Sequence, residues 1–178
     1  MKPHPATSLR LVPLYLGDRA ELLSPLAAQL SETFGVPVET RAPGFDPELA
    51  FDRSRGQYNS TILLAQLLDE SHEAAGRVLG VTSVDLFIPV LTYVFGEAQL
   101  DGRAAMISTF RLRSEIYGLP ASPALLLDRS IKEAIHELGH TFGLLHCQAP
   151  ECVMRSSTYV EDIDLKSDHF CPRCRAQL

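Results

Sequence analysis

The chain has 178 residues, about the size of one domain, and 16 Lys plus Arg against 22 Asp plus Glu give it a formal net charge of −6. This balance offers no electrostatic footprint for nucleic acid or an anionic membrane, so neither is expected as a partner. No apolar window approaches the length of a membrane span, and Pro13 and the polar start break any signal-peptide core, so a cytoplasmic protein is expected.

The first half of the chain alternates between strand-like and helix-like patterns. Short apolar runs that end at Gly or Pro predict strands, and apolar residues at three- and four-residue spacing predict helices. The elements predicted here are a strand over 9–16, a helix from Asp18 to about Phe34 capped by Asp18, a strand over 36–41, a loop over 42–53 and a helix over 61–75.

A strand followed by a hairpin is predicted in the next part of the chain. The strand covers residues 78–89 and ends at a proline, and the hairpin has arms at 92–100 and 103–112. Its turn is Asp101-Gly102, a dipeptide that strongly favours hairpins. Alternating strands and helices followed by a hairpin predict an α+β fold, with an antiparallel edge strand on a mixed sheet packed against helices.

A helix with a potential metal site is predicted next. Ser130 and Glu133 fit a capping box that starts this helix at about residue 130. His136 and His140 are four residues apart, so they share one face and form a bidentate clamp for zinc. Glu137 projects beside the metal, where it can hold a metal-bound water as general base.

A third histidine is expected to complete this site. Gly143 lies where the helix can end in a left-handed cap, which would bring His146 back to the metal. Three histidines leave the fourth tetrahedral position open, as in catalytic zinc sites. A lone His on an apolar helix is usually a core histidine, but HExxHxxGxxH arises by chance in only roughly one such chain in 10⁴ to 10⁵.

The cysteines predict a second metal site, because all four lie within the last 32 residues as a C-x₄-C and a C-x-x-C pair: Cys147, Cys152, Cys171 and Cys174. This is the spacing of a Cys₄ structural zinc site, which would stabilise a segment too short for a core of its own. Disulfides, which need an oxidising compartment, and a redox dithiol in CPRC are the alternatives. In an extended chain His146 and Cys147 point in opposite directions, so two zinc ions per chain are predicted.

These motifs resemble those of the metzincins, zinc peptidases with HExxHxxGxxH and a methionine turn. Within that clan the chain is similar to the archaemetzincin family, which continues with Cys-x₄-Cys-x-Met and ends in Cys-x-x-Cys. The matching residues here are Cys147, Cys152, Met154, Cys171 and Cys174. Residues 94–98 and 108–112 also resemble the family's edge hairpin. The resemblance covers most of the chain, most specifically residues 132–174.

The resemblance implies a zincin-like fold with a twisted mixed sheet and a small zinc-bound C-terminal subdomain. Residues 1–146 and 147–178 are then two subdomains of one compact domain. Met154 would form an apolar floor beneath the histidines without binding the metal. Tyr159, five residues later, lies further away than the tyrosine that contacts the metal in some metzincins.

The clan's edge strand runs along the cleft and binds extended substrate by backbone pairing, which gives affinity without reading much sequence. The corresponding residues here are Tyr93, Val94, Phe95, Gly96, Glu97 and Ala98. The alternative is an ordinary edge strand without a role in binding.

The predicted function is zinc-dependent hydrolysis of peptide bonds in a peptide or protein substrate, with Glu137 as general base. One alternative is a zinc-stabilised peptide- or protein-binding module with little or no peptidase activity. The cysteine pairs alone also suggest a nucleic-acid-binding zinc protein, against which the net acidity counts. A monomer is expected.

Overall fold

The computed structural model describes residues 7–70 and 76–178. The strands in this part of the chain are β1 (Leu9–Leu14), β2 (Val38–Thr40), β3 (Phe51–Asp52), β4 (Gln57–Asn59), β5 (Arg77–Thr82), β6 (Leu86–Phe87), β7 (Gly96–Ala98) and β8 (Ala104–Ser108). The α-helices are α1 (Leu23–Phe34), α2 (Ser60–Glu70), α3 (Pro123–Thr141), α4 (Val160–Leu165) and α5 (Pro172–Arg175). Short 3₁₀ helices cover Gly17–Leu22, Pro47–Ala50 and Ser114–Tyr117.

In the part of the chain that the structure describes, the main sheet has five strands in the order β2-β1-β5-β8-β7. β1 pairs in parallel with β2 and β5, and β5 pairs in parallel with β8. β7 is antiparallel to β8 and forms the edge. The predicted α+β class, with a mixed sheet and one antiparallel edge strand, is confirmed.

Helices cover both faces of this sheet because its inner strands are apolar on both faces. All five residues of β8 are buried. Ile107 belongs to the core cluster of α1 and α3, whereas the neighbouring Met106 belongs to the cluster of α2. Such continuous apolar runs are typical of strands covered on both sides. α3 packs against both β8 and β7, so this helix lies beside the sheet edge.

The strand predicted over residues 78–89 is wrong in its second half. β5 ends at Thr82, and β6 belongs to a separate three-stranded sheet in the order β3-β4-β6. Asp85 lies between them and accepts two hydrogen bonds from the Arg111 guanidinium, at 2.8 and 2.6 Å. This ion pair anchors the bend at which the chain leaves the main sheet.

The hairpin is confirmed at its turn, but its predicted arms are too long. The chain reverses within residues 100–103, which include Asp101-Gly102, and the Gln99 N–H closes this loop on the Ala104 carbonyl at 2.9 Å. Before β7, Val94 pairs with Leu86 of β6 and so lies outside the main sheet. After β8, the Ser108 hydroxyl accepts the Phe110 N–H at 3.0 Å, a local bond that competes with strand pairing.

The start of α3 also differs from the prediction. The helix begins at Pro123, and the hydroxyl of the preceding Ser122 accepts the Leu125 N–H at 3.3 Å. Proline at the first position and serine at the cap form a strong start. Ser130 lies inside the helix, where its hydroxyl donates to the Leu126 carbonyl at 2.7 Å, so the predicted capping box is wrong.

Three smaller predictions need correction or lie partly outside the described residues. α1 is preceded by a 3₁₀ helix, and Asp18 caps neither of them. The predicted loop over 42–53 contains a 3₁₀ turn and β3. α2 reaches Glu70, and the predicted remainder of that helix lies in residues 71–75, outside the described ranges.

The C-terminal segment packs on the main core. Cys152 and Met154 belong to the same apolar cluster as Leu11 of β1 and Ile135 of α3. The two predicted subdomains, 1–146 and 147–178, thus share one core, and the boundary between them stays a prediction. Within residues 7–70 and 76–178, each helix is too short or too polar to cross a membrane.

Candidate active site

Three histidines converge at the C-terminal end of α3. His136 and His140 lie one turn apart, and the chain then turns at Gly143, whose φ is 85°, and returns with His146. One ring nitrogen from each lies within 4.8 Å of the others, and the Nε2 atoms of His136 and His140 are 3.1 Å apart. A tetrahedral zinc with Zn–N distances of about 2.0–2.1 Å separates its ligand nitrogens by about 3.3–3.4 Å, so the cluster fits zinc.

The hydrogen bonds of two histidines fix which ring nitrogen faces the cluster. Nδ1 of His136 is 2.8 Å from the Val153 carbonyl, and Nδ1 of His140 is 2.7 Å from the Leu144 carbonyl. A carbonyl only accepts, so Nδ1 carries the proton in both rings and each Nε2 keeps its lone pair. Two lone pairs that face each other repel, and a cation between them removes the repulsion. This pattern of backbone support is typical of metal-binding histidines.

Burial keeps these rings in the neutral form that binds a metal. Burial lowers the pKa of His136 well below its ordinary value, and the nearby Lys166 ammonium adds to the effect. Burial also lowers the pKa of His140 and of the more exposed His146. Neutral imidazole is the zinc ligand, so little proton release opposes binding at neutral pH.

The C-terminal end of α3 is held by residues from the sheet. Arg77 of β5 donates from Nε to the Thr141 hydroxyl at 2.9 Å, and its guanidinium lies 3.5 Å from the Phe142 ring centre. The Asp101 N–H in the hairpin turn donates to the His140 carbonyl at 2.9 Å. Arg77 Nη2 also donates to the Thr141 carbonyl at 3.2 Å, so residues of the sheet bind two of the last carbonyls of the helix and fix the turn that leads to His146.

Met154 is fully buried against α3. A Cβ atom added at Gly139, between the two helical histidines, would collide with the Met154 sulfur. The Met154 carbonyl accepts the Cys147 N–H at 2.9 Å, which ties this turn to the segment after His146. This placement supports the predicted role of Met154 as an apolar floor.

The four cysteines form a second cluster. Their sulfur atoms all lie within 4.8 Å of one another, and those of Cys147 and Cys171 are 3.8 Å apart. A tetrahedral zinc with Zn–S distances of about 2.3 Å separates its ligand sulfurs by about 3.8 Å, whereas a disulfide requires about 2.05 Å. The four thiols are free. His146 and Cys147, adjacent in the chain, therefore point into different clusters.

The surroundings of the cysteines favour a cation among them. The Ala149 N–H lowers the pKa of Cys147 to about 6, helped by the Arg173 guanidinium, whose Nη2 lies 3.3 Å from the sulfur. Burial raises the pKa of Cys152 and Cys174. Burial thus opposes the thiolate form of Cys152 and Cys174, and a bound zinc would stabilise the thiolate at all four cysteines.

A cleft of about 430 Å³ opens beside the histidines. Residues 91–96 line one wall, 156–159 line the other, and side chains of α3 together with His146 line the space between. The Tyr93 hydroxyl donates to the Thr158 carbonyl at 3.0 Å and so joins the two walls. Tyr159 lines the cleft and is 65% exposed.

The structure brings four of the six predicted substrate-binding residues to this cleft: Tyr93, Val94, Phe95 and Gly96. Glu97 and Ala98 are not among its lining residues. The Glu97 carboxylate instead accepts hydrogen bonds from the hydroxyls of Ser60 and Thr61 at the start of α2.

Among the described residues, β7 pairs with β8 on one side and with no strand on the other, so that side can pair with another chain. The Ser108 N–H donates to the Phe95 carbonyl, and the Gln99 N–H donates to the Ala104 carbonyl. Backbone groups alternate in an antiparallel pair, so those of residues 95, 97 and 99 face β8 and those of 96 and 98 point away from it.

Glu137 is buried between the cleft and the edge strand, with 7% of the residue exposed. Burial raises its pKa well above the ordinary value, and Glu133 adds to the rise while Lys166 opposes it. A raised pKa makes a carboxylate a better proton acceptor near neutral pH. Glu137 can therefore act as a general base beside a metal held by the histidines.

Sequence reasoning missed a buried ion pair at the cleft. Lys166, after α4, donates from Nζ to Glu133 Oε1 at 2.9 Å and to the Arg155 carbonyl at 3.3 Å. Glu133 also lines the cleft. It lies four residues before Glu137, so helical spacing could have placed it on the same face. No pattern in the sequence indicated a role for Lys166.

Removing this buried cation should destabilise the fold. Lys166→Met leaves the Glu133 carboxylate buried and unpaired, which we expect to lower the free energy of unfolding by about 3–5 kcal/mol in urea titration. Adding Glu133→Gln should recover part of that loss. Lys132→Met is the control, because Lys132 is also buried but its partner Asp128 is half-exposed and stays solvated without it, so a smaller loss is expected. Equal losses in the two lysine variants would contradict this interpretation.

Comparison with known proteins agrees with these features. The pattern of peptidase family M54 matches residues 46–178. An archaemetzincin from Methanocaldococcus jannaschii is 44% identical over 159 residues, which are 89% of this chain and 86% of the relative.

Solved structures share the fold over nearly the whole chain. A zinc-dependent peptidase from Methanocorpusculum labreanum superimposes with a TM-score of 0.85 at 31% identity, over 95% of this chain and 98% of the other. An archaemetzincin from Methanopyrus kandleri gives a TM-score of 0.82 at 38% identity, over 97% and 93% of the two chains.

Proposed function

Because the chain belongs to peptidase family M54, the archaemetzincins, we propose that it hydrolyses peptide bonds with a zinc ion held by His136, His140 and His146. The chain is a metallopeptidase, and peptides or proteins are its substrates. The observation that carries the proposed site is the three-histidine cluster with Glu137 beside it in the same cleft. The alternative of a binding module without peptidase activity is not favoured.

The residues of the cleft divide the reaction between them. Zinc, when bound, supplies Lewis acidity to a water molecule and to the carbonyl of the scissile bond. Glu137 accepts the proton as water attacks that carbonyl, and then delivers it to the leaving amine. The backbone carbonyls of Val153 and Leu144 keep two of the histidines in the tautomer that turns Nε2 towards the site.

The edge strand is proposed to hold the substrate. The outward-facing backbone groups of Gly96 and Ala98 are suited to pair with an extended peptide. Tyr93, Val94 and Phe95 line the cleft and would contact substrate side chains. Glu97 would contribute through its position in the strand only, since its carboxylate is bound by Ser60 and Thr61.

A second zinc is proposed in the cysteine cluster, as a structural site held by Cys147, Cys152, Cys171 and Cys174. Four thiolates fill a tetrahedral coordination sphere and leave no open position for chemistry. This zinc would stabilise residues 147–178, a proposed C-terminal subdomain that includes Met154.

The enzyme is proposed to be a cytoplasmic monomer that binds neither nucleic acid nor a membrane. The net charge of −6 supports the last two points. Light scattering on the zinc-loaded protein tests the oligomeric state, and a dimer mass would contradict it.

The function is tested by incubating the zinc-loaded protein with a peptide library in which half of the peptides carry a blocked N-terminus. Mass spectrometry then identifies the products. We expect cleavage that 1,10-phenanthroline abolishes and added zinc restores. Cleavage confined to unblocked peptides would identify an aminopeptidase. A protein that carries zinc at the histidine site and cleaves no peptide would support the binding-module alternative.

A further inference from the structure

Gly96 is the point at which the edge strand meets the active-site helix. It is the first residue of β7, lies opposite Ile107 of β8 and lines the cleft. The glycines with positive φ in the described ranges are residues 17, 35, 56, 118 and 143. Gly96 is not one of them, so its backbone conformation is open to any residue. A different constraint must exclude a side chain here.

Two groups impose that constraint, the backbone of β8 and the side chain of Glu137. A Cβ atom built on Gly96 would lie 2.7 Å from Glu137 Cγ and 2.9 Å from Oε1, closer than carbon and oxygen atoms approach without bonding. The same Cβ would lie 2.6 Å from the Met106 carbonyl oxygen, which belongs to the paired backbone of β8. Since Glu137 is buried except where it lines the cleft, its carboxylate can retreat only toward the cleft.

We propose that Gly96 is a positioning residue for Glu137, which rests on the proposed function. The missing side chain lets the Glu137 carboxylate lie in contact with the strand that holds the substrate. A peptide paired with the free edge at Gly96 is then set at a fixed distance from the group that moves the proton. Reacting groups misplaced by about 1 Å can lose about 10²-fold in rate, so this contact matters for turnover.

The competing interpretation is that Gly96 only permits close packing of the sheet, and Gly80 of β5 provides the control. A Cβ atom at Gly80 would lie 2.7 Å from Leu67 Cδ1 and 3.3 Å from Met106 Cβ. Gly80 therefore resembles Gly96 in belonging to the main sheet and in lying against β8, although its nearest neighbours are side-chain atoms. Its main obstacle is an apolar side chain of α2 and not Glu137.

The test compares Gly96→Ala and Gly80→Ala with the unmodified protein for zinc content, thermal stability, kcat and KM. We expect Gly96→Ala to keep its zinc and to lose about 10–100-fold in kcat and in kcat/KM together, as removal of a transition-state interaction does. Gly80→Ala should lose stability while keeping kcat per folded molecule. Unchanged kcat in Gly96→Ala, or equal losses of kcat in both variants, would overturn the proposal.

A crystal structure of each variant gives a readout that does not depend on activity. Glu137 should be displaced in Gly96→Ala and unmoved in Gly80→Ala. If the zinc-loaded protein cleaves no peptide, the proposed function fails, while the position of Glu137 still decides whether Gly96 sets it. A Glu137 carboxylate that keeps its place in Gly96→Ala would overturn the positioning role.

Discussion

Glu137→Gln is expected to lower kcat by about 10²–10⁴-fold while the zinc content stays unchanged. Glutamine has nearly the shape of glutamate but accepts no proton, so the substitution removes general-base catalysis and leaves the packing of the cleft in place. Glu137 stands apart from both ligand clusters, which consist of three histidines and four cysteines. Metal analysis and steady-state kinetics on the same samples separate loss of chemistry from loss of metal.

Glu161→Gln is the matched control for this prediction. Glu161 is an exposed carboxylate on α4, shortly after the wall of the cleft. It should keep the kcat of the unmodified protein. A Glu137→Gln variant that turns over substrate as fast as this control would contradict the assignment of Glu137 as the general base.

Cys174→Ala is expected to destabilise the protein by at least about 4 kcal/mol, because loss of a structural metal is among the largest single-residue effects. Cys174 is 3% exposed and packs in the same cluster as Cys147, Cys152 and Met154. Residues 147–178 contain only two short helices and no strand, so little secondary structure of their own holds them. One kcal/mol shifts Tm by about 2–4 °C in a domain of this size, so Tm should fall by about 8–16 °C in thermal unfolding followed by circular dichroism.

Glu151→Gln, an exposed change beside Cys152, is the control and should leave Tm unchanged. The same measurement separates zinc from disulfides. A chelator should lower Tm in the unmodified protein, whereas a thiol reductant should not. The opposite pattern would mean that disulfides and not a metal hold this segment.

The candidate site could be predicted where its residues lie close together on one element. Helix geometry converts the four-residue spacing of His136 and His140 into a shared direction, and Gly143 marks the turn that returns His146. The edge hairpin could be predicted for the same reason, because the Asp-Gly dipeptide favours a turn whatever the distant residues are.

Prediction failed where contacts between distant residues decide the structure. Residues 78–89 read as one strand, but Asp85 binds Gln57 and Arg111, which are 28 and 26 residues away, and the chain leaves the sheet. The position of Glu133 could be predicted from its helical spacing to Glu137. Its partner Lys166 lies 33 residues further along the chain and could not be predicted. The close contact of Gly96 with Glu137 likewise joins residues that are far apart in the sequence.

The most direct test of two separate metal sites is the zinc content per chain, measured by elemental analysis on the unmodified protein and on His140→Ala. His140 contributes to the histidine cluster only. Close to two zinc ions per chain, falling to one in the variant, is the result that a three-histidine site beside a four-cysteine site predicts. One zinc in both proteins would mean that the histidine cluster holds no metal as purified, and would contradict the proposed active site.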